Sequence, residues 1–168
     1  MIVDAVRLLL FPALMAFAAS SDLFTMTISN RISLALTAGF FALALATGMS
    51  GSEMLWHAGA GALVLTITFC FFAFGWIGGG DAKLAAATAL WLGFDHLFAY
   101  GIYASIFGGV LTLAIIKFRG LPLPALLARQ AWVQRLHATG GGVPYGIALA
   151  AAALIVYPHT PWMQALLL

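Results

Sequence analysis

The 168-residue chain is 64% hydrophobic and only 7% charged, with a formal net charge of +2. A soluble domain of this size carries about a quarter charged residues, so the composition excludes a water-soluble globule and offers no basic surface for nucleic acid. A mean hydropathy of +1.07 instead predicts an all-α polytopic membrane protein, a single integral-membrane domain over 1–168.

Apolar runs near the ~20 residues needed to cross a hydrocarbon core of ~30 Å predict six transmembrane helices, approximately 5–21, 33–49, 56–77, 81–94, 97–117 and 143–158. The first run begins near Arg7 and ends in the small residues Ala16 to Ser20, a pattern that also fits a cleavable signal peptide. Cleavage would remove the helix that holds Asp22 and strand Arg31 outside, so the run is read as a retained span. The fourth span is short, about 20 Å if fully helical, and its boundary with the fifth falls around Gly93-Phe94-Asp95-His96. The lone Cys70 sits in an apolar run, which gives no disulfide framework and no CxxC metal pair.

Orientation follows from the cations, because short loops rich in Lys and Arg stay in the cytoplasm. Of the seven Lys and Arg residues, Arg31, Lys83, Lys117, Arg119, Arg129 and Arg135 share one side if the spans alternate, and Arg7 is the exception. Glu53, Asp95 and both termini then face the other side, which puts Asp22 and Asp81 near the cytoplasmic face. The long stretch Phe118 to Gly142 opens with Pro122 and Pro124 and closes on three glycines. Between them Leu126, Leu127, Val133 and Leu136 alternate with polar residues at roughly helical spacing, either as an interfacial helix on anionic lipid or as an ordinary cytoplasmic loop.

Asp22 and Asp81 carry the chemistry. An ionisable side chain at membrane depth is expensive, by roughly 3 kcal/mol or more, and marks a functional site by default. Asp22 ends the first span and Asp81 starts the fourth, so the two are expected to meet at one depth. Two carboxylates held close share one proton, supplying a base and an acid for water attack on a peptide bond. Gly78, Gly79 and Gly80 before Asp81 strip side chains from the adjacent backbone, which would let an extended substrate approach. Lys83, two residues on, points about 200° away from Asp81 on a helix and is expected to snorkel or to contact another segment rather than pair with it.

Other polar and aromatic residues have weaker claims. His57, His96, His137 and His159 are scattered without i, i+4 pairing, which favours interfacial contacts over a metal site. Trp56, Trp76, Trp91, Trp132 and Trp162 lie near span ends, where indole rings favour the headgroup region. Ala104 and Gly108, four apart on the fifth span, suit close helix packing.

The block Gly78-Gly79-Gly80-Asp81-Ala82-Lys83-Leu84 resembles the GxGD-x-K block of prepilin peptidases. Ser21-Asp22-Leu23 followed by Ile28-Ser29-Asn30-Arg31 is similar to their first aspartate block, and Val143-Pro144-Tyr145-Gly146 to their final PYG segment. The chain departs from the family at Ser29, commonly Pro, and at Phe24, Thr25 and Met26, commonly basic. The resemblance implies a GxGD-type intramembrane aspartic protease with Asp22 and Asp81 as the catalytic pair and Gly78, Gly80, Lys83, Asn30 and Tyr145 in support, using no cofactor and no metal. It further implies a prepilin or pseudopilin substrate, other pilus-assembly proteins as partners, and cleavage at the cytoplasmic face of a bacterial inner membrane. With one cysteine the chain lacks the paired CxxC motifs of the methyltransferase domain found in long members, and looks like the short peptidase-only form of tight-adherence (Flp-type) pilus systems. Intramembrane acids also mark ion pathways, so a small proton-coupled carrier and a non-catalytic assembly factor are the alternatives.

Overall fold

A computed structural model describes residues 1–166 and contains eight α-helices, with no strand among the described residues. They are α1 (Ile2–Thr25), α2 (Asn30–Ala46), α3 (Gly51–Ala73), α4 (Gly79–Leu92), α5 (Phe94–Arg119), α6 (Ala131–His137), α7 (Tyr145–Val156) and α8 (Pro161–Gln164). Each of the six predicted spans corresponds to one helix. Three of them, α1, α3 and α5, are long and apolar enough to cross a membrane, and α2 and α7 are shorter apolar helices. These lengths and compositions are those of a polytopic membrane protein.

The short α4 lies at the centre of the bundle. Its residues from Leu84 to Leu92 are all buried, and it packs against α2, α3, α5 and α7. Small side chains allow this, because Ala85, Ala86, Ala87 and Ala89 present almost no bulk to four neighbours. The closest approach is at Gly61 of α3, where an added Cβ would lie 3.3 Å from the Ala86 carbonyl oxygen and 3.3 Å from the Leu90 Cβ. Gly93 alone separates α4 from α5. Its φ of +68° is open to glycine and strained for other residues, so the chain reverses within a single residue where the sequence reading has a four-residue boundary.

An aromatic cluster closes the bundle end away from the two aspartates. Phe11 stacks on Tyr157 with ring centroids 4.4 Å apart and lies 5.3 Å from Trp91. The Trp91 indole donates to the Leu36 carbonyl at 2.9 Å, and the Trp162 indole donates to the Trp91 carbonyl at 2.9 Å. These contacts correct the interfacial assignment of two tryptophans. Trp56 and Trp76 are exposed, but Trp91 and Trp162 are core residues, because the turn after α7 and then α8 fold back over the end of α4. His57 is corrected likewise: it is buried, with Nδ1 donating to the Leu90 carbonyl at 2.8 Å and its ring between Phe40 and Trp162.

The stretch 118–142 is not one amphipathic helix. A 3-10 turn at Leu127–Arg129 and the short α6 replace it, with Val133 and Leu136 buried but Leu126 and Leu127 exposed. Main-chain hydrogen bonds explain the shape. His137 Nε2 donates to the Leu121 carbonyl at 2.8 Å, Arg119 Nε to the Leu136 carbonyl at 2.8 Å, and Arg135 to the Phe24 carbonyl. The segment is thereby folded onto the ends of α1 and α5. Gly108 is buried on α5 beneath the Tyr145 ring, as the small-residue spacing predicts.

Because Trp162 fills the cluster and satisfies the Trp91 carbonyl, Trp162→Ala is expected to destabilise the protein by about 3–5 kcal/mol. A lowered thermal unfolding midpoint in detergent checks this, and an unchanged midpoint would mean that α8 contributes nothing to the core.

Candidate active site

Asp22 sits in the last turn of α1, where the helix is ended by an unusual residue. Met26 has φ 55° and ψ 30°, and its N–H donates to the Asp22 carbonyl at 2.8 Å. A non-glycine residue in the left-handed region costs on the order of 1–3 kcal/mol. Local bonds hold it there, including Ser21 Oγ to the Thr27 carbonyl at 2.9 Å and Thr25 Oγ1 to the Ser21 carbonyl at 2.7 Å. The left-handed turn sends the chain straight back toward the bundle, so Ile28 points inward between α4 and α7.

The Asp22 carboxyl is 5% exposed. Its Oδ2 accepts the Gly146 N–H at 2.7 Å, a bond that joins the end of α1 to the first turn of α7. Glycine is required at 146 for space: an added Cβ would lie 2.8 Å from that same Oδ2 and 2.7 Å from Ile28 Cδ1. Asp81 is the third residue of α4, and its Oδ2 accepts the Gly78 N–H at 3.3 Å. The free amides of a helix N-terminus favour an anion at this position.

The two acids, 59 positions apart in sequence by their numbers, come together at one end of the bundle. The Ile28 side chain lies against the residue before Asp81 and against the residue whose amide bonds Asp22. An added Cβ at Gly80 would lie 3.1 Å from the Ile28 Cβ and 3.3 Å from its carbonyl oxygen, while the other end of the Ile28 side chain meets Gly146. Among the described residues each carboxyl accepts one hydrogen bond, through Oδ2 in both cases. The remaining oxygen of each is uncommitted to the protein.

The other sequence-derived candidates fall into three groups. Gly78 is exposed beside Asp81, whereas Gly80 is packed on Ile28, so its missing side chain makes room for the chain's own loop rather than for a substrate strand. Lys83 Nζ donates to Asn30 Oδ1 at 2.9 Å, which ties α4 to the start of α2 and leaves Asp81 unpaired with it. Tyr145 reaches neither acid. Its hydroxyl lies 3.1 Å from Thr112 Oγ1 and its ring packs on Gly108, which sets α7 against α5 one residue before the Gly146 amide.

Three residues absent from the sequence-derived set complete the arrangement. Gly146 supplies the donor, and Ile28 packs against Gly80 and Gly146. Arg119 holds the Leu136 and Gly142 carbonyls at 2.8 and 2.7 Å, fixing the segment that leads into Gly146. Both Gly146 and Ile28 lie inside motifs already singled out, but a hydrogen bond across 124 positions has no local signal. Among the described residues no three His, Cys, Asp or Glu side chains converge.

The chain belongs to the type IV leader peptidase family, whose model matches residues 9–113. That match contains Asp22, Ile28, Asn30, Gly78, Gly80, Asp81 and Lys83 and ends before Tyr145 and Gly146. No curated protein and no solved structure matches the chain. Membership makes the chain a protease of the general type that acts on prepilin-like leaders.

Ser29 has φ −64°, the value that a proline ring imposes, so the backbone at this departure from the family is already that of a proline. Ser29→Pro is expected to keep full activity and to change stability by no more than about 1 kcal/mol. Gly80→Val, by contrast, must displace Ile28, and is expected to abolish most cleavage in protein that still inserts. Cleavage assays on both purified variants check the pair of outcomes; near-normal activity of Gly80→Val would show that cleavage does not depend on the packing of Ile28 against Gly80.

Proposed function

We propose that this protein is an aspartic endopeptidase that removes the leader from prepilin or pseudopilin substrates at the cytoplasmic face of a bacterial inner membrane. It acts as one membrane-embedded peptidase unit, in the short form that serves tight-adherence (Flp-type) pili, alongside other pilus-assembly proteins. The reading is supported above all by one observation. Asp22 and Asp81, from helices distant in sequence, face a common site at the bundle end that carries six of the seven Lys and Arg residues.

In this mechanism the acids titrate as a pair and hold one proton between them at working pH. The ionised carboxylate takes a proton from water as its oxygen attacks the scissile carbonyl carbon, while the protonated partner donates to the carbonyl oxygen. The tetrahedral diol collapses as one of its hydroxyls returns a proton to the carboxylate that had donated, the C–N bond breaks, and the proton gained from water passes to the leaving nitrogen. The products are a leader carboxyl group and a new amino terminus, and the dyad is left with its single proton. Gly146 and Gly78 supply the amides that hold each Oδ2, leaving the other oxygens for water and substrate.

Asp22→Asn and Asp81→Asn each remove a member of this exchange. Either is expected to lower kcat by about 10²–10⁴-fold, with the double variant at most a few-fold worse than the singles, as for residues that act as one unit. Cleavage of a candidate prepilin by purified, correctly inserted variants is the measurement. Substantial turnover by either single variant would sink the dyad.

The cytoplasmic assignment is tested separately. In a Cys70→Ser background, Thr139→Cys is expected to react with an impermeant thiol reagent only after cells are permeabilised. Labelling of intact cells would reverse the orientation.

A further inference from the structure

Beside the aspartate-bearing end of α4, helices α2, α3 and α4 line an open groove of about 520 Å³ on the outer side of the bundle. Its lining changes character along its length. At the mouth are Lys83 and Asn30, joined at 2.9 Å, with exposed Arg31 beside them. Ser33 lies about one helical turn deeper, and beyond it the walls are apolar, from Ala62 and Ala87 to Phe41 and Leu90, apart from Thr37, whose hydroxyl is bonded to the Ser33 carbonyl at 2.9 Å.

The level of the mouth in the bilayer is marked by exposed Phe74 and Trp76, in the turn that leads into α4, since such rings settle at the headgroup region. From Asn30 to Phe41 the groove runs eleven helical positions, about 16 Å. That is the depth of one leaflet, half of a ~30 Å core.

These dimensions select the occupant. The groove spans the depth of one leaflet only, so a transmembrane helix lying along it would leave it half-way and continue into the other leaflet. A basic leader segment would meet two like charges at the mouth. An anionic phospholipid of the Lys83-side leaflet meets none of these objections. Lys83 has two donors left after Asn30 for a phosphate, Ser33 sits at the level of the glycerol esters, and one acyl chain fits the apolar part.

We infer that the α2–α3–α4 groove is a binding site for an anionic phospholipid, with its phosphate at Lys83 and one acyl chain lying over α4 between α2 and α3. The site stands on the membrane placement of the bundle and is independent of the peptidase reading. Because Lys83 is two residues beyond Asp81 and bonded to the start of α2, the bound headgroup lies beside the candidate active site.

Native mass spectrometry of the full-length protein, purified in mild detergent and titrated with phosphatidylglycerol or phosphatidylcholine, tests this. The unaltered protein is expected to retain one phosphatidylglycerol at concentrations where phosphatidylcholine is lost. Lys83→Met is expected to reduce that preference about fivefold, the worth of one lysine near an anionic surface. Ala62→Phe, at an exposed position on the groove wall, should fill the groove and abolish the retained lipid. Val110→Phe, on the exposed face of α5, should not. Equal retention of the two lipids, or an unchanged adduct in Ala62→Phe, would overturn the site. So would loss of the lipid in Val110→Phe to the same extent, since that is the behaviour of a general lipid annulus. Inorganic phosphate added in place of lipid should leave the adduct unchanged; its displacement of the lipid would mean that a free anion, not a phospholipid, is what Lys83 holds.

Discussion

The hydrogen bond from the Gly146 amide to Asp22 is the contact on which the site depends. A carboxyl group buried away from water is costly unless polar partners meet it, and here a single backbone N–H from the far end of the chain does so. That one bond imposes several conditions. Residue 146 must lack a side chain, α7 must start at the depth of the last turn of α1, and the segment before it must be held. Tyr145 against Thr112 and Arg119 against Gly142 meet the last two conditions. Tyr145 and Arg119 therefore serve the chemistry without approaching it.

Asp81 is held in a different way. It stands at the start of a helix buried from Leu84 to its last residue, so its position is set by packing rather than by one bond. Alanines at four positions of α4 let neighbouring helices come close, and Gly61 of α3 admits the Leu90 side chain and the Ala86 carbonyl. A rigid helix carrying one acid faces a hydrogen-bonded turn carrying the other. Ile28 packs against Gly80 on one side and Gly146 on the other, and its place follows from the left-handed Met26, which turns the chain inward within two residues.

Much of this was legible in the sequence because membrane helices announce themselves through length and apolarity. All six spans, the short fourth one and the two exceptional acids followed from those signals, and the helical offset of Lys83 from Asp81 correctly removed that pair. The failures share one cause. Rules for membrane proteins assign aromatic and polar residues near span ends to the headgroup region, but Trp91, Trp162 and His57 lie where α8 and the turn before it cover the bundle end. Tertiary contacts, invisible locally, convert an interface into a core. Gly80 shows the same limit: its small size was evident, but whether Ile28 or a substrate uses the space depends on a loop 52 positions away by residue number. The stretch 118–142 kept its helical periodicity only in α6, because arginine and histidine bonds to carbonyls outweighed a continuous amphipathic face.

The confinement of α4 also bears on how the protein is made. At 14 residues it reaches only about 21 Å, and it carries Asp81, Lys83 and two helical glycines. On the scale that governs partitioning during synthesis charged residues count against insertion, and α4 offers only three leucines and one tryptophan in return. Such a segment does not enter lipid by itself. It is joined to the strongly apolar α5 through Gly93 alone and bonded to α2 through Lys83 and Asn30, so it must be carried in with its neighbours. The acid-bearing helix thus reaches its place only once its neighbours are there to surround it, and a nascent chain halted before α7 would still lack the Gly146 amide that meets Asp22.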